Sequence, residues 1–224
     1  MYRIVLSMAA ALALMVSPAL YGEQTVEKKG VEKKEAEEKH SPDVVFVPTP
    51  QEVVEKMLEL AKVTKKDLVY DLGCGDGRIV VTAAKKYGCK AVGFDVDPQR
   101  IKESQENVTK NKMEKLVTIQ EKDIFKLDLS KANVITLYLL PSLNVKLIPQ
   151  LEKLKPGSRI VSHDFNMRGV TPDKVVTVKS KEDEREHTVY LWTAPLKKEK
   201  EKEKEKEEEK EEEKSREKAE AVTP

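Results

Sequence analysis

Between residues 44 and 196 the apolar positions switch repeatedly between helical spacing and short continuous or alternating runs. Val53, Met57, Leu58, Leu60 and Ala61 recur at three- and four-residue intervals, the signature of a helix with one buried face. Thr49, Pro50 and Glu52 stand before them as N-cap, N1 and N3, the residues of a capping box. A strand through Val69 and Leu72 comes next, then a helix from Arg78 that Gly88 ends. Lys90 to Asp95 reads as the second strand, and Asp97 and Pro98 cap and open a helix through Lys110. Leu116 to Gln120 is the third strand. Asn133 to Leu139 is wholly apolar apart from Asn133, Thr136 and the Tyr138 hydroxyl, the pattern of a central strand buried on both faces. A helix over Leu143 to Leu154 leads through Pro156-Gly157 to a fifth strand, Arg159 to Ser162. Lys174 to Lys179 and Thr188 to Trp192 alternate and suit an antiparallel edge hairpin.

Strands that alternate with helices require a parallel sheet with right-handed crossovers, so the predicted class is α/β, doubly wound, in a single domain. A sheet of this kind takes its ligand at the carboxyl ends of its central strands, where the strand order reverses.

The rest of the chain follows different rules. Residues 23–43 are rich in Glu and Lys, and Lys197 to Lys214 contains no other residue type. Such segments bury too little apolar surface to offset chain entropy. They are expected to be a charged linker and a low-complexity tail, the latter spanning residues 197–224. Met1-Tyr2-Arg3, the apolar run Ile4 to Val16 and the small residues up to Gly22 have the three regions of a secretory signal. Residues 1–22 are therefore expected to export the domain. The alternative is a retained membrane anchor, for which the lysines after residue 27 would hold the domain in the cytoplasm.

The domain carries only a mild excess of Lys and Arg over Asp and Glu, with no basic stripe interleaved with aromatics, so a nucleic-acid partner is not expected. Cys74 and Cys89 fall at opposite ends of the predicted sheet, too far apart for a disulfide, and should be free thiols. His40, His163 and His187 show no ligand spacing with one another or with the cysteines, and no metal site is expected.

The chemistry concentrates in Asp71-Leu72-Gly73-Cys74-Gly75-Asp76-Gly77-Arg78-Ile79. Alternate glycines allow positive φ and close ligand approach ahead of a helix N-terminus. A dinucleotide fingerprint reads G-x-G-x-x-G, and here the third glycine comes one residue early, with Arg78 in its expected place. This pattern resembles motif I of the class I S-adenosylmethionine methyltransferases. Asp95 closes the second strand at the distance from the glycines at which a carboxylate reaches ribose hydroxyls, its alternative being a helix N-terminal charge like Asp97. Asp123, after the third strand, could accept from an adenine amine or serve a surface turn.

Phe46-Val47-Pro48-Thr49-Pro50, the glycine motif, Thr136-Leu137-Tyr138-Leu139-Leu140-Pro141 with Asn144, and Ser162-His163-Asp164-Phe165 together resemble the archaeal protein-lysine methyltransferases and the mitochondrial lysine methyltransferases of the ATP synthase c-subunit. The resemblance covers about residues 44 to 180. It implies a Rossmann-like methyltransferase sheet and S-adenosylmethionine as cofactor. It also implies Asp71, Gly73 and Gly75 around the methionine end, Asp95 on the ribose and Asp123 near the adenine, with Val47, Pro48, Thr49 and Pro50 as a cover. The partner it implies is a protein with an accessible lysine; the N-terminal segment, which departs from the relatives, makes membrane association possible.

Methyl transfer to an amine needs that amine unprotonated and in line with the methyl, so the residues after strands four and five are the catalytic candidates. These are Tyr138, Asn144, His163 and Asp164. Each has a structural alternative: Tyr138 as a core closure, Asn144 in a local turn, His163 and Asp164 as caps of the loop after strand five. The competing functions are a small-molecule or RNA methyltransferase of the same fold, and a noncatalytic module that binds the cofactor.

Overall fold

The structure, a computed structural model, describes residues 46–199. Its elements in chain order are α1 (Gln51–Leu60), β1 (Leu68–Leu72), α2 (Arg78–Tyr87), β2 (Lys90–Asp95), α3 (Pro98–Lys110), β3 (Val117–Glu121), a 3-10 turn (Ile124–Lys126), β4 (Val134–Leu137), α4 (Pro141–Leu151), β5 (Arg159–His163), β6 (Lys174–Lys179) and β7 (Glu186–Thr193). The strands form one seven-stranded sheet in the order β3-β2-β1-β4-β5-β7-β6. The first five pair in parallel, and β7 and β6 add antiparallel at one side. The chain moves outward from β1 to β3 and then returns to β4 beside β1, which puts the reversal of strand order between β1 and β4.

Successive residues of a strand face opposite sides of a sheet, and the core divides accordingly. Val134 and Val161 join Val53, Met57, Val69 and Val80 under α1 and α2, whereas Ile135 and Ile160 join Leu137, Leu147, Leu151 and Trp192 under α4. All four residues of β4 are buried, as a strand covered on both faces requires. At the far side β6 is an edge strand whose residues are largely exposed, with Lys174 and Lys179 at its two ends.

The elements stand where the periodicity places them, with local differences that have physical causes. Helix α1 does not use the predicted capping box: its N-cap is Pro50, which offers no side-chain acceptor, and the first helical N–H, on Gln51, donates to Glu182 Oε2 at 2.9 Å. Thr49 is instead drawn into the interior by His163, 114 residues away. Helix α4 starts at Pro141 rather than Leu143, because a first helical residue needs no N–H partner, and it closes at Leu151. Strand β4 ends at Leu137, and Tyr138 to Leu140 turn out of the sheet. Strand β7 begins two residues earlier than Thr188, since Glu186 and His187 pair with Lys179 and Val178 of β6. Cys74 and Cys89 are free and buried, as expected.

The expected leader or anchor (1–22), the charged linker (23–43) and all but the first residues of the tail lie outside the described residues. Lys197 and Lys198 still pair with Asp173 and Glu152. Among the described residues no helix is long and apolar enough to cross a membrane.

Candidate active site

A cavity of about 240 Å³ opens at the carboxyl ends of β1, β2 and β4. The glycine turn after β1 forms its floor. The N–H groups of Gly73 and Cys74 both donate to the Phe94 carbonyl at 2.9 Å, pinning the turn to β2. Gly75 does not itself line the cavity; it has φ +53°, which strains a side chain, and a Cβ there would meet the Phe46 ring at 2.1 Å, so another residue would require that ring to move. Gly77, at φ +75°, brings α2 against α3, where a Cβ would lie 2.9 Å from that of Ser104.

Asp71 lies at this floor, nearly inaccessible to solvent. Its Oδ1 accepts from the Thr136 hydroxyl at 2.6 Å, while its Oδ2 is buried with no hydrogen-bond partner. Burial raises its pKa to about 7 against the opposing Thr136 hydrogen bond, with Asp95 and Asp76 adding to the rise. A carboxylate held this way favours a cationic group beside it. Cys74 lines the same wall, but burial holds its thiol well above the ordinary range and leaves it protonated.

Asp95 also lines the cavity. Its Oδ2 accepts from the Gly75 N–H at 2.9 Å, and its Oδ1 from Val96 and Asp97 at 2.8 and 3.0 Å. The carboxylate is thus locked to the glycine turn and to the approach to α3. Phe46, Val47 and Thr49 form the opposite wall. Arg78 joins that wall to the floor: its Nη1 donates to the Thr49 carbonyl at 2.8 Å, and its guanidinium pairs with Asp76 at 2.7 Å. Arg100 lies over the Phe46 ring, 4.7 Å from its centroid. Pro48 and Pro50 are not among the lining residues. Asp123 is not either: it caps the 3-10 turn by accepting from the Phe125 N–H at 2.9 Å.

The other end of the cavity is aromatic. Tyr138 and Phe165 line it, and the Tyr138 ring stacks on His163 at 3.9 Å and on Phe165 at 5.9 Å between centroids. Burial, with the charge of Asp164, raises the Tyr138 pKa, so the phenol keeps its proton. Asn144 is fully buried and donates to the Phe165 carbonyl at 3.2 Å, which fixes the loop after β5 rather than facing the cavity.

His163 is fully buried, with Nδ1 3.2 Å from Thr49 Oγ1 and Nε2 2.9 Å from His187 Nδ1. Asp164, at φ +56°, accepts from the Thr188 N–H and lies 3.1 Å from His187 Nδ1. His187 Nε2 lies 3.0 Å from Asp183. Burial lowers the His163 pKa to about 4 despite the pull of Asp164. Burial acts the same way on His187, but its hydrogen bonds with Asp164 and Asp183 outweigh it and raise the value.

His187 and Asp183 are the members of this network that sequence reasoning misses, and the expectation that His163 and His187 lack ligand spacing is corrected here: with Asp164 they bring possible ligand atoms within 4.8 Å of one another. Their spacing of 24 residues carries no signal. The β5–β7 register, with His163 opposite Val189, is what brings the two rings together.

A family model described as the ANTKMT methyltransferase domain matches residues 71–174. The chain is 48% identical over 153 residues to a protein-lysine N-methyltransferase of Saccharolobus islandicus, covering 67% of this chain and 94% of that one. It is 29% identical to the human lysine N-methyltransferase of the ATP synthase c-subunit, spanning 58% of this chain and 55% of the relative. Among solved structures it is 47% identical to one described as an RNA methyltransferase from Salinibacter ruber in complex with S-adenosyl-L-homocysteine, with a TM-score of 0.62, covering 66% of this chain and 94% of that one.

Proposed function

This chain belongs to the family of S-adenosylmethionine-dependent methyltransferases that includes the Saccharolobus islandicus protein-lysine N-methyltransferase, and from that premise we propose that its acceptor is the side-chain amine of a lysine in a protein. The residues fit the methyl donor. The partnerless Asp71 Oδ2, buried at the cavity floor, suits the donor's amine; Gly73, at φ +78°, presents bare backbone to the cavity; and Asp95 stands at the end of β2, where ribose hydroxyls are held in such sheets. When bound, the donor supplies a sulfonium methyl whose C–S bond breaks as the acceptor nitrogen bonds the carbon.

The protein's own part is to hold that nitrogen in line, unprotonated and away from water. The aromatic end, built by Tyr138 and Phe165, provides an apolar passage that disfavours an ammonium ion. Asp71, Asp76, Asp95 and Asp97 outnumber Arg78 and Arg100 around the cavity, which attracts cationic groups and repels a polyphosphate.

The observation that carries the acceptor is the 48% identity to a protein-lysine N-methyltransferase over nearly all of that relative. The description of the Salinibacter structure favours RNA as a second reading. Incubating the protein with donor labelled in its methyl group and a host extract separates them. Label that resists ribonuclease and maps to lysine supports the proposal. Label lost to ribonuclease, with binding that falls steeply as salt rises, supports RNA.

A further inference from the structure

A run of four polar side chains leads from the cavity toward solvent: Thr49, His163, His187 and Asp183, joined by contacts of 3.2, 2.9 and 3.0 Å. Thr49 lines the cavity, both rings are buried, and Asp183 reaches the surface beside Arg185, with which it pairs at 2.9 Å. We propose that this run is the path by which the acceptor's proton leaves, with His187 and Asp183 as its positioning residues. The inference rests on the lysine reading above, because a lysine enters as an ammonium ion and must lose a proton before it can attack.

Proton counting supports the path. A neutral imidazole has one N–H and one acceptor nitrogen, so the contacts can be satisfied together in few ways. In the first, all protons point outward: the Thr49 hydroxyl donates to His163 Nδ1, His163 Nε2–H to His187 Nδ1, and His187 Nε2–H to Asp183, so that Asp164 Oδ2 is served by His163 Nε2–H at 3.3 Å and not by His187 Nδ1. In the second, His163 carries its proton on Nδ1, facing Thr49, and His187 carries two. The second state is the first after one proton has entered at Thr49 Oγ1, the Thr49 hydroxyl proton has passed to His163 Nδ1 and the His163 Nε2 proton to His187 Nδ1, while His187 Nε2 keeps its own. The bond that breaks is the ammonium N–H, and the positive charge comes to rest on His187. There it lies between Asp164 Oδ2 at 3.1 Å and Asp183 at 3.0 Å, and its Nε2 proton passes on through Asp183 to water.

Asp164 Oδ2 also faces His163 Nε2 at 3.3 Å, and Tyr138 covers the ring face. The 2.9 Å separation of the two imidazole nitrogens matches a shared proton.

The test uses the full chain, methyl-labelled donor and two acceptor probes, poly-L-lysine and host-extract protein. His187→Gln and Asp183→Asn should each lower kcat about 10- to 100-fold near neutrality, with acceptor KM and donor affinity unchanged. The loss should shrink as pH rises, when the amine sheds its proton unaided. A loss that is the same at every pH, or confined to KM, overturns the path. So does lysine labelling by His187→Gln at the wild-type rate, which leaves the lysine reading intact. Wild-type protein that labels RNA and no lysine overturns the lysine reading itself. The chain has only three histidines, so imidazole ¹⁵N spectra of the unreacted protein give a readout independent of turnover. The signals of His163 should move in Asp183→Asn; signals that stay put, or stoichiometric metal that depends on His187, overturn the path.

Discussion

Replacing Asp71 with Asn should weaken donor binding and, at alkaline pH, stabilise the unliganded fold. The carboxyl is buried, and its pKa stands at about 7 against an ordinary 3.8. Between those values an unfolded chain ionises this group while the folded chain keeps it protonated. Stability therefore falls as pH rises, by about 1.4 kcal/mol per unit, until the folded group ionises too. From pH 5 to pH 7 the loss amounts to about 2 kcal/mol, and it levels off at about 3 kcal/mol by about pH 8. Asn does not titrate, so the stability of the variant relative to wild type should improve by about 3 kcal/mol between pH 5 and pH 8. A constant cost from the buried amide hydrogens shifts both points equally and cancels. Urea unfolding of both proteins at the two pH values, without donor, measures the difference. Saturating S-adenosylmethionine should reverse the ranking at pH 8, because the cationic donor relieves the ionised carboxylate and binds the native state alone. A difference that does not change with pH would refute the burial argument, and equal donor affinities would refute the role of Asp71 in binding.

Gly75→Ala should weaken donor binding in calorimetry, since a Cβ there displaces the Phe46 ring that lines the cavity; wild-type affinity would overturn that reading of the turn. Glu182→Ala should cost about 1 kcal/mol in thermal or urea unfolding, through loss of the remote cap on Gln51, and Glu182→Gln should restore part of it. Leu147→Ala, in the core beneath α4, should cost about 2–5 kcal/mol without altering donor affinity in the folded fraction. A pH titration followed by imidazole NMR should find His163 neutral down to about pH 4 and His187 charged to above its ordinary value; the reverse order would contradict the hold of Asp164 and Asp183 on His187.

The fold is largely legible in the sequence because each strand and helix announces its period locally: the glycine turn, Asp71 and Asp95 all belong to one short stretch whose chemistry is self-contained. Where the reading departs from the structure, a distant partner decides. Thr49 has every local credential of an N-cap, yet a buried imidazole 114 residues away offers its hydroxyl a partner, and Glu182 takes over the cap from across the domain. His187 is invisible for the same reason, since it joins the site only through the register of an antiparallel strand. Asp123 illustrates the converse, with the backbone N–H two residues on claiming a side chain that the pattern also allows for ligand contact, whereas Asn144 is again claimed from a distance, by the Phe165 carbonyl.

An open sheet ends twice, and the outer backbone of a terminal strand is a template on which another molecule's strand could add. In β6 the lysines at both ends place charge where a docking strand would have to lie, and between them Val175 and Thr177 are exposed while Val176 and Val178 pack partly on the core. Extending the sheet by one more strand would desolvate those ammonium groups without supplying counter-charges. The consequence is a built-in resistance to aggregation through this border, and replacing Lys174 and Lys179 by valine is the change that would remove it.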